Sequence, residues 1–323
     1  MNFPVTLSQA IDGLLYADAY DCALTLEEIH RFSRVKLSKD QIRSWLDSPY
    51  VSNFIFQESG FYYLRDRKSI VAARDKAITR AGKLRKRAML IARLLHFFPF
   101  VRGIVLTGSV AANDADSQAD IDFLVIVADA RISFVFFLLG GLSRIFFRRL
   151  FCPNYYLVEN SLSISRRSFY IAREIAQAIP LTGMSEDFFR DNAWVDDELP
   201  NSEAKVNHTL PLKGSSFIQK VLEFPCNWVL RNGLEEKLKS FTAKRLLHHY
   251  HLQSVAVPDS VEKGFEEGRE LRFHFGKRVD TVMQQYENNR EALMRHLKET
   301  GGFASERNPH EGNSSSPSTK YSN

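Results

Sequence analysis

Two apolar runs joined by a glycine-serine turn, with a pair of acids alternating on the second run, constrain this chain more than any other feature. The stretch covers residues 101–127, VRGIVLTGSVAANDADSQADIDFLVIV. Residues 103–107 read as a buried strand, Gly108-Ser109 as a tight turn opening a short helix, and residues 121–127 as a second buried strand. Side chains on a strand alternate between its two faces. Asp120 and Asp122 therefore point the same way, while Ile121 and Phe123 enter the core. Two carboxylates a few ångströms apart repel unless a cation lies between them. Mg²⁺ takes one or two such carboxylates and fills its other positions with phosphate oxygens and water. Gly108 lets the backbone approach a ligand closely, and N–H groups at a helix start suit phosphate oxygens. The pattern predicts a metal-dependent site for phosphoryl or nucleotidyl transfer.

These residues resemble the nucleotidyltransferase superfamily, which includes the DNA polymerase beta-like and minimal nucleotidyltransferases. The shared pattern is an apolar residue, Gly-Ser or Gly-Gly, roughly ten residues, then Asp-apolar-Asp/Glu-apolar. Here Leu106-Thr107-Gly108-Ser109, residues 110–119 and Asp120-Ile121-Asp122-Phe123 fit it. The resemblance implies an α+β fold with a mixed sheet, Gly108 and Ser109 gripping a nucleoside triphosphate, and Asp120 and Asp122 holding Mg²⁺ or Mn²⁺. It also implies a third carboxylate on a later strand. The next strand candidate is 154–159, where Asn154 stands at the position the third acid tends to take and Glu159 is the nearest acid. Five residues apart, the two face opposite sides of a regular strand. An amide cannot serve as general base, although its carbonyl oxygen can face a metal. Asn154 and Glu159 are both kept as candidate site residues. Residues 160–200 are also similar to bacterial nucleotidyltransferase-like proteins that carry a helical C-terminal part.

At 323 residues, with 44% hydrophobic and 25% charged residues, the chain has the composition of an ordinary globular protein with room for two or three domains. Cys22, Cys152 and Cys226 are odd in number and widely spaced, and read as buried thiols in a reducing cytoplasm. The first residues lack the basic end and apolar run of a signal peptide. Residues 132–151 form the most apolar segment, but its uncharged part ends at Arg144, short of the roughly 20 residues that span a bilayer. It reads as a helix packed across the sheet or, alternatively, as one lying on a membrane surface.

The expected organisation is a winged-helix-like unit at 1–66, a nucleotidyltransferase-like core at 67–200, a helical region at 201–300 and a disordered tail at 301–323. Helices are expected at 7–20, 25–32 and 38–46, followed by a hairpin of residues 53–57 and 61–65. If the unit binds DNA, Lys39, Gln41, Arg43 and Ser44 on the third helix would reach bases; packing, dimerisation or substrate docking are the alternatives. Residues 65–93 carry eleven Lys or Arg against Asp66 and Asp75. This predicts a long helix whose basic face is either simply solvated or a flank that attracts nucleotide, nucleic acid or another anionic acceptor. His248, His249 and His251 lack an acid or Cys at ligand spacing, and His274 reads as a structural hydrogen-bonder. Arg269, Arg272, Lys277 and Arg278 would meet phosphates if their segment folded over the cleft.

Overall fold

The computed structural model describes residues 3–145, 150–164, 166–202, 217–252, 258–272 and 277–302. The helix expected over 7–20 is divided into α1 (Phe3–Ala10), α2 (Asp12–Ala17) and a 3₁₀ turn (Asp18–Tyr20). The break at Ile11 sets Asp12 in the first turn of α2, where an acid suits the helix dipole. After β1 (Leu24–Thr25), Thr25 caps α3 (Leu26–Arg31). Its Oγ1 accepts the Glu28 N–H at 3.2 Å, and Glu28 Oε2 accepts the Thr25 N–H at 2.9 Å. Ser38 and Gln41 form the same reciprocal cap at the start of α4 (Lys39–Leu46). Strands β2 (Ile55–Glu58) and β3 (Phe61–Leu64) make the expected hairpin. Its two turn residues, Ser59 and Gly60, both have positive φ, which matches the right-handed twist of the flanking strands. β1 pairs with β3 to complete a three-stranded antiparallel sheet.

Helix α5 (Ser69–Leu95) is the predicted long basic helix. Its apolar stripe, including Ile70, Ala77, Ala81, Leu84, Ala88 and Ile91, is buried. It leads into β4 (Val101–Thr107), the four-residue helix α6 (Gly108–Ala111) and β5 (Ile121–Val127). Helix α7 (Ile132–Ile145) follows, and Phe151, expected to end it, instead opens β6 (Phe151–Val158). α7 lays Val135, Phe136 and Leu139 on the sheet, with the Phe136 ring edge-on to Tyr156 at 5.9 Å. That is the packed-helix alternative, and no helix among the described residues is long and apolar enough to cross a membrane.

Next come α8 (Phe169–Gln177), β7 (Ile179–Gly183), α9 (Ser185–Asp191), α10 (Val195–Glu198) and α11 (Phe217–Val229). A π-helical turn (Leu230–Leu234) joins α11 to α12 (Glu235–Leu252). The chain continues through α13 (Asp259–Glu266), β8 (Glu270–Arg272) and α14 (Lys277–Glu299). Residues 203–216 of the expected helical region and nearly all of the tail lie outside the described residues, as does His274.

The central sheet is mixed, with strand order β7-β4-β5-β6-β8. β5 and β6 run parallel, and the other three pairings are antiparallel. Neither edge strand was expected. β7 carries Pro180, which an edge tolerates because one side of the strand needs no donor. β8 offers only Glu270, Leu271 and Arg272, so its polar residues hid it. Tyr155 Oη donates to Glu270 Oε2 at 2.7 Å, and Arg272 Nη2 donates to the same carboxylate at 2.9 Å. The Arg272 guanidinium also lies over the Tyr155 ring, 4.4 Å from its centre. Arg272 is thus a buried lock within the sheet rather than a phosphate ligand, and Arg269 pairs with Glu267. One buried apolar cluster runs from Leu7 to Leu297, so the amino-terminal helices, the sheet and α14 share a core.

Candidate active site

Strand register brings the acid pair and the glycine turn together. Thr107 is the last residue of β4 and lies directly opposite Asp122 on β5. Gly108 follows with φ of +67°, a conformation that favours glycine. A Cβ at Gly108 would collide with Oδ2 of Asp122 and come within 3.0 Å of its Cγ. The bare glycine therefore gives the Asp122 carboxylate its room against the turn. Thr107 Oγ1 donates to the Asp122 main-chain oxygen at 3.4 Å, tying the turn to the strand from the other side.

On the opposite flank, the parallel strand β6 pairs Cys152 with Asp122 and Pro153 with Phe123, then skips Asn154 and resumes with Tyr155 opposite Leu124. Asn154 is the extra residue of a β-bulge, a device that re-aims a side chain beside a site. Its Nδ2 donates to Asp122 Oδ1 at 2.6 Å, and the side chain is buried. Pro153 fits here because β8 begins its pairing only at Tyr155. One ligand atom from each of Asp120, Asp122 and Cys152 lies within 4.8 Å of the other two. Ligands around one ion at bonds of about 2.1–2.3 Å are separated by roughly 3 to 4.5 Å, so small side-chain movements would let the three donors share a cation. Asp120 is exposed, and Asp122 and Cys152 are half-buried, leaving a side open to a ligand.

The basic helix holds the loop that follows the turn. Arg74 donates to Asn113 O at 2.8 Å and pairs with Glu28 at 2.6 Å and Asp114 at 3.4 Å. Arg80 Nη1 donates to Ala115 O at 2.8 Å, and Arg85 Nε to Val110 O at 3.1 Å. Burial, followed by repulsion from Arg74, pulls the Arg85 guanidinium below its ordinary pKa. Three of the cations read as a solvated or phosphate-attracting face thus point inward and fix the main chain of residues 110–115.

Of the residues singled out from sequence, Gly108, Asp120, Asp122 and Asn154 come together, with Ser109 next to Gly108 in α6. Glu159 does not join them. Its N–H donates to Val127 O at the other end of β5, and its carboxylate pairs with Arg102 Nε at 3.2 Å. Val127 lies five positions along β5 from Asp122, which puts Glu159 roughly 15 Å or more from the acid pair. Cys152 corrects a different expectation. It is not a thiol sealed in apolar surroundings like Cys22, which burial pushes up to about 12. Its pairing with Asp122 is made only when β6 docks against β5, so no local signal announced it. Among the described residues, Asp120, Asp122 and Cys152 form the only group of three suited to a metal, so the histidines of α12 make none.

A mixed sheet with a glycine turn against paired acids on the adjacent strand defines an α+β nucleotidyltransferase-type domain. Residues 88–161 match the nucleotidyltransferase domain family, which supports nucleotidyl transfer as the general chemistry of this part of the chain. The match runs from the end of α5 to just past β6 and includes Gly108, Asp120, Asp122, Cys152 and Asn154. Comparison with curated proteins and with solved structures gives no match.

Proposed function

We propose that the domain transfers a nucleoside monophosphate from a nucleoside triphosphate to a hydroxyl acceptor, using a divalent cation held by Asp120 and Asp122. The observation that carries this reading is the Asp122 carboxylate seated against the bare Gly108 backbone, with Asp120 and Cys152 beside it. A bound Mg²⁺ or Mn²⁺ would neutralise triphosphate charge and favour departure of pyrophosphate. Gly108 and the Ser109 hydroxyl would receive the β- and γ-phosphates, because only a residue without Cβ leaves room for them beside Asp122. Asn154 would act as a positioning residue that fixes the rotamer of Asp122 through Nδ2. The acceptor oxygen attacks the α-phosphorus, the bond to the bridging oxygen breaks, and pyrophosphate leaves. The acceptor proton cannot go to the Asn154 amide, so a carboxylate of the pair or solvent takes it. The domain's task is chiefly positioning and charge neutralisation.

A second reading is a nucleotide-sensing regulator. It draws on the amide at 154 and on the exposure of Lys39, Gln41, Arg43 and Ser44 along α4. Calorimetric titration of each nucleoside triphosphate with Mg²⁺ into wild type and an Asp120→Asn, Asp122→Asn double variant tests the shared premise. Binding that needs both the cation and the acids supports a working triphosphate site. No binding to any triphosphate sinks both readings, and turnover in an acceptor screen separates them.

A further inference from the structure

We infer that Cys152 is a third ligand of the Asp120–Asp122 cation site, so that the site accepts thiophilic divalent cations of the Zn²⁺ and Co²⁺ kind through a metal–sulfur bond. The inference rests on the proposed function for the roles of the two acids and goes further by naming the class of cation.

Three observations carry it. Cys152 and Asp122 are register partners on adjacent parallel strands, so their side chains leave the sheet side by side on one face. The Cys152 sulfur lies within 4.8 Å of a carboxylate oxygen of both acids, and the residue is half-buried rather than sealed in the core. The Asn154 amide is a donor to Asp122 Oδ1, which leaves Oδ2 as the oxygen beside the Gly108 turn. Two carboxylates and a sulfur form a mixed donor set. Hard cations such as Mg²⁺ favour oxygen ligands and a shell of water, whereas thiolate favours Zn²⁺ and related ions. On binding, the thiol S–H breaks, a metal–sulfur bond forms and the proton goes to solvent, with no change of oxidation state.

Nearly any such site binds Zn²⁺ more tightly than Mg²⁺, so affinity order alone proves nothing. The distinguishing readout is sulfur ligation. Full-length protein, kept reduced without a competing thiol, is titrated with Co²⁺ while the near-ultraviolet sulfur-to-metal charge-transfer band is followed. Wild type should develop the band at one equivalent, Cys226→Ser should keep it, and Cys152→Ser should lose it. Co²⁺ affinity in Cys152→Ser should fall at least about tenfold, with Mg²⁺ affinity changed less than about threefold. Circular dichroism of the variant checks that it folds. A wild type without the band, or a band that survives in Cys152→Ser, overturns the inference. Calorimetry of ATP with Mg²⁺ on the same samples separates the two failures. Normal ATP binding without the band leaves the proposed function standing, and loss of both removes the two together.

Discussion

At the scale of single residues, the site depends on two positions where backbone geometry does what another side chain would undo. Gly108 combines positive φ with an approach so close that any Cβ meets the Asp122 carboxylate. Gly108→Ala should therefore cost about 1–3 kcal/mol of stability from strain and displace Asp122 from its rotamer. Denaturant midpoints and triphosphate titrations would read both effects, and unchanged nucleotide binding would show that the turn does not shape the site. Asn154 neutralises no charge but donates to Asp122 Oδ1 at 2.6 Å. Asn154→Asp would set a carboxylate against a carboxylate, a contact that is repulsive until a cation enters. The melting temperature of that variant should fall below wild type in a chelator and recover with Mn²⁺ or Mg²⁺. Equal melting temperatures in chelator would show that residue 154 does not press on the Asp122 carboxylate.

At the scale of elements, α5 links the basic stretch of sequence to the site by holding the main chain of residues 110–115. Arg74 is the anchor, its side chain buried between Glu28 on α3 and Asp114 in the loop. Arg74→Met removes one cation and leaves two carboxylates facing each other, which should destabilise the fold by roughly 3 kcal/mol. In the surviving folded fraction, turnover should drop by roughly 10- to 100-fold because the main chain that follows the Gly108 turn is no longer held in place. Single-turnover rates corrected for folded fraction check this, and an unchanged rate would reduce α5 to a structural strut. β4 and β5 were legible because apolar runs on either side of a Gly-Ser turn are a local signal. β7 and β8 were not. Pro180 reads as a breaker until the strand is known to be an edge, and Arg272 reads as a phosphate contact until Tyr155 and Glu270 are seen to hold it in the sheet. The same limit hid Cys152, whose partnership with Asp122 is made only when β6 pairs with β5, and a bulge at Asn154 is a tertiary fact that no run of residues announces.

At the scale of the whole molecule, α14 returns to the start of the chain and closes it against α2. Asn289 is the polar hinge of that joint, donating to Leu15 O at 2.9 Å and Asp18 Oδ2 at 3.0 Å while accepting from Arg65 at 2.6 Å. Beside it Asp12, buried in α2, faces Arg34 at 3.6 Å and Arg290 of α14 at 4.0 Å. Burial raises the Asp12 carboxyl above its usual 3.8, and Arg290, Tyr286 and Arg34 offset that only in part. The sign of the linkage follows. A carboxyl whose folded pKa is raised holds its proton more tightly in the native state, so its favourable contribution is complete below the unfolded pKa and is lost as pH rises through the folded value. Asp12→Asn keeps the shape and cannot titrate. The denaturation midpoint of wild type relative to Asp12→Asn should therefore be highest at acid pH and decline as pH climbs from 3.8 through the raised pKa. The opposite trend, wild type gaining on the variant with rising pH, would mean that Arg34 and Arg290 outweigh burial and that the joint between α2 and α14 is held by ion pairing rather than by packing.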